Sequence, residues 1–223
     1  MSAAYFIAGT DTEIGKTFVT CALLHAARRQ GLTALGMKPI AAGAEQIGSE
    51  FLNEDAARLR AASSFDPGLA LLNPYCLASP IAPHIAAEEE GVTLAFDPIR
   101  AAFDALRPQA DLVLVEGVGG FRVPLGPDYD TADLARDLAL PVILVVGMRL
   151  GCINHALLTV EAITARGLPL AGWVANQTDP SMLRFDQNLT ALTHRIPAPL
   201  LGTVRHQPDG DAARGAEGLR LPG

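Results

Sequence analysis

The sequence predicts an α/β fold with a doubly wound, mostly parallel sheet and helices on both faces. Three observations carry this. Short runs are apolar at every position rather than every second one, which marks strands covered on both sides. Longer stretches with helical spacing lie between them, so strand and helix alternate. Glycine- and acid-rich turns follow the strands, where ligands sit in such sheets.

Tyr5-Phe6-Ile7-Ala8 is the first strand and ends at Gly9. Thr17 to Gln30 follows as a helix, with Leu23, Leu24 and Ala27 on one face, Arg28 and Arg29 in the last turn and Gly31 just beyond it. Leu32 to Met37 is the second strand, and Asp111 to Glu116 the third, apolar between two acids. Val142–Gly147, Leu170–Ala175 and Leu200–Val204 complete the series. Helical stretches occupy Asn53–Ala62, Pro98–Leu106 and Ile153–Arg166. Asp66–Pro83, rich in Pro and Ala, reads as a long excursion, and Arg205–Gly223 as a loosely held tail.

The 223 residues, 49% hydrophobic and 18% charged, can build one large core and are expected to form a single domain over residues 1–223. The formal net charge of −7 without a basic stripe argues against nucleic-acid and anionic-membrane partners. Cys21, Cys76 and Cys152 lie far apart, with neither disulfide nor zinc spacing. The N-terminal residues lack a basic, then apolar, leader pattern. The longest apolar run, Leu138 to Met148, is broken by Pro141 and is too short for a bilayer. The expectation is a soluble cytoplasmic protein.

Gly9-Thr10-Asp11-Thr12-Glu13-Ile14-Gly15-Lys16-Thr17 stands between the first strand and the first helix. Strand, glycine loop, Gly-Lys-Thr and helix form the setting of a phosphate loop, although five residues rather than the usual four separate its two glycines. Backbone N–H groups in a tight loop and the positive helix end bind a polyphosphate without mobile side chains. Lys16 adds a charge at the outer phosphates, and Thr17 offers a hydroxyl to Mg²⁺. These features predict phosphate-loop nucleoside triphosphatase architecture.

Other strand ends add candidates. Glu116 precedes Gly117-Val118-Gly119-Gly120 and faces the loop as a second Mg²⁺ partner would. Lys38, ending the second strand, could stabilise charge on a transferred phosphoryl group or be an exposed lysine leaving the sheet. Asp55 alone reads as an acid at a helix start. Gly151-Cys152-Ile153-Asn154 could hold a carboxylate on free N–H groups or be an ordinary helix start. Asn176 could read a base edge or cap a turn.

Together, Gly-Thr-Asp-Thr-Glu-Ile-Gly-Lys-Thr, Lys-Pro-Ile-Ala-Ala-Gly, Val-Glu-Gly-Val-Gly-Gly, Leu-Gly-Cys-Ile-Asn-His-Ala and Gly-Trp-Val-Ala-Asn resemble, in order, the dethiobiotin synthetase family. That family's loop carries the extra residue. The resemblance implies an ATP- and Mg²⁺-dependent ligase that converts 7,8-diaminononanoate and CO₂ to dethiobiotin through a carbamate and a carbamic–phosphoric anhydride. It implies catalytic roles for Thr12, Lys16 and Lys38. It places nucleotide on Glu13, Ile14, Gly15, Lys16, Thr17, Phe18, Asp55, Glu116, Gly117, Val118, Gly119, Asn176 and Gln177. Mg²⁺ falls to Thr17, Asp55 and Glu116. Substrate falls to Thr12, Lys38 and Ala42, and to Gly151, Cys152, Ile153 and Asn154 of a homodimer partner. Three departures stand out: Ala42 where the family commonly has a hydroxyl, Gln177 where it often has Asp, and Arg205-His206-Gln207 in place of a Pro-Trp-Leu-like stretch beside the adenine. Two other readings are a partner-switching ATPase like the plasmid-partition proteins, and a cobyrinate-type amidoligase. The first is disfavoured by the missing early loop lysine, the second by the missing glutaminase segment.

Overall fold

The computed structural model describes residues 2–48 and 50–223. Its elements are β1 (Ala3–Gly9), α1 (Lys16–Arg29), β2 (Ala34–Met37), β3 (Ile40–Ala42), β4 (Ala44–Ile47), β5 (Glu50–Asn53), α2 (Glu54–Ala62), α3 (Leu69–Leu72) and β6 (Tyr75–Leu77). There follow α4 (Pro83–Glu89), α5 (Phe96–Leu106), β7 (Leu112–Glu116), α6 (Thr131–Asp137), β8 (Val142–Gly147), α7 (Cys152–Ala165), β9 (Leu170–Asn176), α8 (Phe185–Thr193), β10 (Leu200–Val204) and α9 (Ala212–Gly215).

The six expected strands form one sheet in the order β10-β9-β8-β1-β7-β2, and every pairing in it is parallel. Their uninterrupted apolar runs divide between two cores, because successive side chains point to opposite faces. Phe6, Val113, Val115, Leu144, Val146 and Trp173 pack with α4 to α8. Ile7, Leu112, Leu114, Ile143, Val145 and Val174 pack with α1 and α2. A one-residue slip in any strand would exchange these sets, so the doubly covered sheet holds its register.

The structure adds short elements to the expected ones. The 66–83 excursion holds α3 and β6, and β6 pairs in parallel with β3. β4 and β5 form an antiparallel hairpin. Helix α6 begins with a capping box, Asp130 and Asp133 each bonding the other's backbone N–H. Among the described residues, no helix is long and apolar enough to cross a membrane.

The segment 205–223 corrects the expectation of a loose tail. Gly215 and Ala216 are buried against α1, where Ala216 meets Ala22 and Ala26. Small side chains on both sides allow this close approach. Leu219 bridges Gly202 in antiparallel fashion, and the Arg220 N–H donates to the Leu201 carbonyl at 2.9 Å. Charge content alone concealed this docking, because alanine and glycine bury without an amphipathic pattern.

A carboxylate at Ala216 would have to be buried against Ala22 and Ala26, and the segment would undock rather than bury it. We expect Ala216→Asp to expose the linker before α9 to protease and to cost about 1–2 kcal/mol, or roughly 2–8 °C in Tm. An unchanged digestion pattern would contradict the packing.

Candidate active site

The carboxyl ends of three neighbouring strands, β1, β7 and β2, supply the centre of the site. The phosphate loop leaves β1 with Glu13 and Gly15 in left-handed conformations, at φ 57° and 77°. Gly15 is the residue before α1, so the helix starts with its N–H groups turned to the loop. The Ile14 side chain, 2% exposed, anchors the loop in the core between Ile7, Val19 and Val145. Asn176 ties it from the other side, donating through Nδ2 to the Ile14 carbonyl at 2.7 Å. Ile14 is therefore the anchor of the loop, and its side chain faces away from the cavity.

Lys38 and Glu116 meet at the next two strand ends. Lys38 Nζ lies 2.6 Å from Glu116 Oε1 and 2.9 Å from Asp55 Oδ2. The two side chains are 3% and 0% exposed. Thr17 Oγ1 donates to the same Glu116 oxygen at 2.7 Å. Asp55 reaches the cluster because Asn53 caps α2 and accepts from its N–H. Sequence could not single out Asp55 except through the family resemblance. Burial pulls the Lys38 pKa down, but Glu116 and then Asp55 outweigh it and hold it above the ordinary lysine value. Burial pushes the Asp55 carboxyl up, and Lys38 overcomes it, leaving Asp55 below its ordinary value.

Lys16 is the less compensated cation. Burial, then repulsion by Lys38, lowers its pKa to about 8. Among the described residues, its Nζ donates only to the Asp11 carbonyl, at 3.3 Å. Cys21, in α1, has its pKa pushed up to about 12 by burial and then by Glu116, which disfavours the thiolate.

Lys16, Lys38 and Asp55 border a cavity of about 710 Å³, with Glu116 buried behind Lys38. Thr12, Glu13, Gly15, Lys16, Thr17, Phe18, Lys38, Ala42, Asp55, Val118 and Gly119 all face it. Arg58 and the Pro80–Pro83 turn also line it; no motif marked them, since only the fold of the excursion brings them there. Gly117 is buried behind the wall and gives its carbonyl to Lys38 at 3.4 Å. Gly151, Cys152, Ile153 and Asn154 begin α7 and do not line this cavity. Asn176 and Gln177 line a second cavity of about 200 Å³, with Glu13, Gly15, Phe18 and Arg205-His206-Gln207. The two cavities share the loop.

The cluster suits a hard divalent cation. Glu116 Oε2 is buried and has no hydrogen-bond partner among the described residues. Thr17, Asp55 and Glu116 offer oxygen donors only. No three His, Cys, Asp or Glu side chains gather among the described residues. Mg²⁺ fits that pattern, since it takes one or two carboxylates and completes its shell with phosphate oxygens and water.

Two outcomes follow. A Cβ on Gly147 would lie 2.5 Å from Ile14 Cγ2 and 2.7 Å from Ile14 Cβ. Gly147→Ala should therefore displace the loop and weaken triphosphate binding at least about tenfold, by calorimetric titration, while costing roughly 1–3 kcal/mol of stability. Unaltered affinity would refute this anchoring. Lys16, with its pKa lowered to about 8, should regain its proton when an anion binds. Titrations at pH ~9 in buffers of different ionisation enthalpy should show proton uptake, absent at pH ~6 and in Lys16→Met. In the free protein, the penalty of the buried charge lies below that pKa and fades as pH rises toward the unfolded value of 10.5.

A family model described as an AAA domain matches residues 3–214. An ATP-dependent dethiobiotin synthetase of Aromatoleum aromaticum is 74% identical over 220 residues, covering 99% of this chain and 98% of its own. One from Xanthomonas oryzae pv. oryzae is 53% identical, covering 98% of each chain. Among solved structures, the septum site-determining protein MinD of Pyrococcus horikoshii, complexed with Mg-ADP, has a TM-score of 0.61 at 16% identity. That likeness covers 96% of this chain and 86% of MinD, and it carries the phosphate-loop nucleoside triphosphatase fold alone. With its deviant loop, its buried Lys38–Glu116 pair and relatives this similar along its whole length, the chain belongs to the ATP-dependent dethiobiotin synthetase family.

Proposed function

We infer that this protein is an ATP-dependent ligase that makes dethiobiotin from 7,8-diaminononanoate and CO₂, in biotin biosynthesis. The observation that carries it is the convergence of Lys16, Lys38 and Asp55 on one cavity beside the loop, with Glu116 buried behind Lys38. Three cations, Lys16, Lys38 and Arg58, and three anions, Glu13, Asp55 and Glu116, cancel there. A triphosphate and a carbamate would then meet in a site of no net charge, so the reaction needs a further cation. Mg²⁺ on Thr17, Asp55 and Glu116 would supply two positive charges and orient the phosphates.

In this reading one substrate amine adds to CO₂ and loses a proton, giving a carbamate. The carbamate oxygen attacks the γ-phosphorus and ADP leaves. The second amine attacks the carbonyl of the resulting anhydride, loses a proton and expels phosphate, closing the cyclic urea. Lys38 stays charged because its carboxylate neighbours outweigh its burial, so it acts as an electrostatic clamp and not as a base. Lys16 serves the outer phosphates, with Thr12 at the reacting end of the loop. The backbone from Glu13 to Phe18, with the Val118-Gly119 turn, cradles the polyphosphate. Asn176 and Gln177 face the nucleoside.

The substrate lies along Thr12, Lys38 and Ala42. Its distant carboxylate goes to the N–H groups of Gly151–Asn154 from the partner in a homodimer. The separation of these residues from the cavity within one chain, and Leu150 at 96% exposure beside them, support that assignment. We place the enzyme in the cytoplasm, as a single domain.

The test is ¹⁴C-bicarbonate fixed into acid-stable product with ATP, Mg²⁺ and 7,8-diaminononanoate. Label should survive acidification in the wild type and vanish in Lys16→Ala. Lys38→Met should lose about 10²–10³ in turnover. Phosphate release without retained label would overturn the ligase reading.

A further inference from the structure

The second cavity has a side wall that the family pattern does not account for. Arg205, immediately after β10, lines it. The guanidinium carbon sits 4.1 Å from the centre of the Phe185 ring. Its Nη2 lies 3.2 Å from Asp186 Oδ1. Phe185 is 6% exposed, and it does not line the cavity. Arg205 therefore stands between a buried aromatic ring and open space. A planar guanidinium with one face on a ring and one edge on a carboxylate has its other face left to bind. The position is also fixed at the backbone, since the Gln177 N–H donates to the Val204 carbonyl at 2.9 Å.

The neighbouring strand end is partly committed elsewhere. Asn176 spends one amide proton on the Ile14 carbonyl. Edge recognition by that side chain is correspondingly narrowed, which leaves face contact as the larger contribution.

We propose that Arg205 is the platform on which the nucleobase of the phosphoryl donor stacks, sandwiched between the base and Phe185. The proposal rests on the second cavity being the nucleoside site. Every base has a π-face, so a stacking platform binds bases with little regard to their edges. Arg205 thus sets nucleoside affinity and leaves base choice loose.

The experiment compares binding of ATP and of inorganic tripolyphosphate, each with Mg²⁺, by calorimetry. The wild type should bind ATP more tightly than tripolyphosphate. Arg205→Ala should lose roughly ten- to a hundredfold in ATP affinity, with tripolyphosphate affinity and Tm unchanged. Arg205→Tyr, which restores a flat face without the charge, should recover most of the loss. CTP and GTP should lose as much as ATP in Arg205→Ala. If the wild type binds ATP and tripolyphosphate equally, the nucleoside-site reading fails, and the proposal with it. If the wild type prefers ATP and Arg205→Ala keeps the whole preference, the site reading stands and the platform is overturned. Equal losses for ATP and tripolyphosphate would also overturn it, since loop damage and not stacking would then be the cause.

Discussion

The Lys38–Glu116 contact is what the rest of the site is arranged around. A carboxylate with no exposure at the end of a buried strand is expensive to desolvate, and an ammonium beside it only offsets the cost if the remaining valences are met. Thr17 meets one on Glu116, and Asp55 one on Lys38. The pair also joins elements distant in sequence: the first helix through Thr17, the second through Asp55, and strands β2 and β7 through the pair itself. Replacing it with apolar side chains would suit the core and remove the chemistry. On the proposed reading, the pair is a stability cost that the reaction requires.

The sheet order separates two tasks. Strands β1, β7 and β2 lie side by side and end at the loop, Glu116 and Lys38. Strands β8, β9 and β10 lie on the other side of β1 and end at Gly147, Asn176 and Val204, beside the second cavity. The loop sits on the central strand and serves both halves. In the proposed reading the phosphates take the middle, the reaction one flank and the nucleoside the other.

What the sequence made legible follows from how far each signal reaches. The six strands were visible because burial on both faces leaves an unbroken apolar run, a local mark of a global position. The loop was visible because dense anion binding permits few solutions. Lys38 and Glu116 were visible as charges that end apolar runs. Asp55 was not, since its importance comes from a 2.9 Å approach to a lysine on another element. Arg58 and the Pro80–Pro83 turn were hidden for the same reason. β3 and β6, of three residues each, are held by pairing across the excursion rather than by any pattern of their own. The closing segment was misjudged because alanine and glycine carry no amphipathic signature.

The placement of β10 at the outer edge, opposite β2, bears on how such a protein can change over generations. Among the described residues, 205–207 line the second cavity and do not line the larger one that holds Lys16, Lys38 and Asp55. A lineage can therefore rewrite these three positions under drift or under a shifting nucleotide pool, and the bond-forming machinery is not disturbed. On the proposed reading, base contact and bond formation sit toward opposite margins of one sheet, so selection can act on one without renegotiating the other.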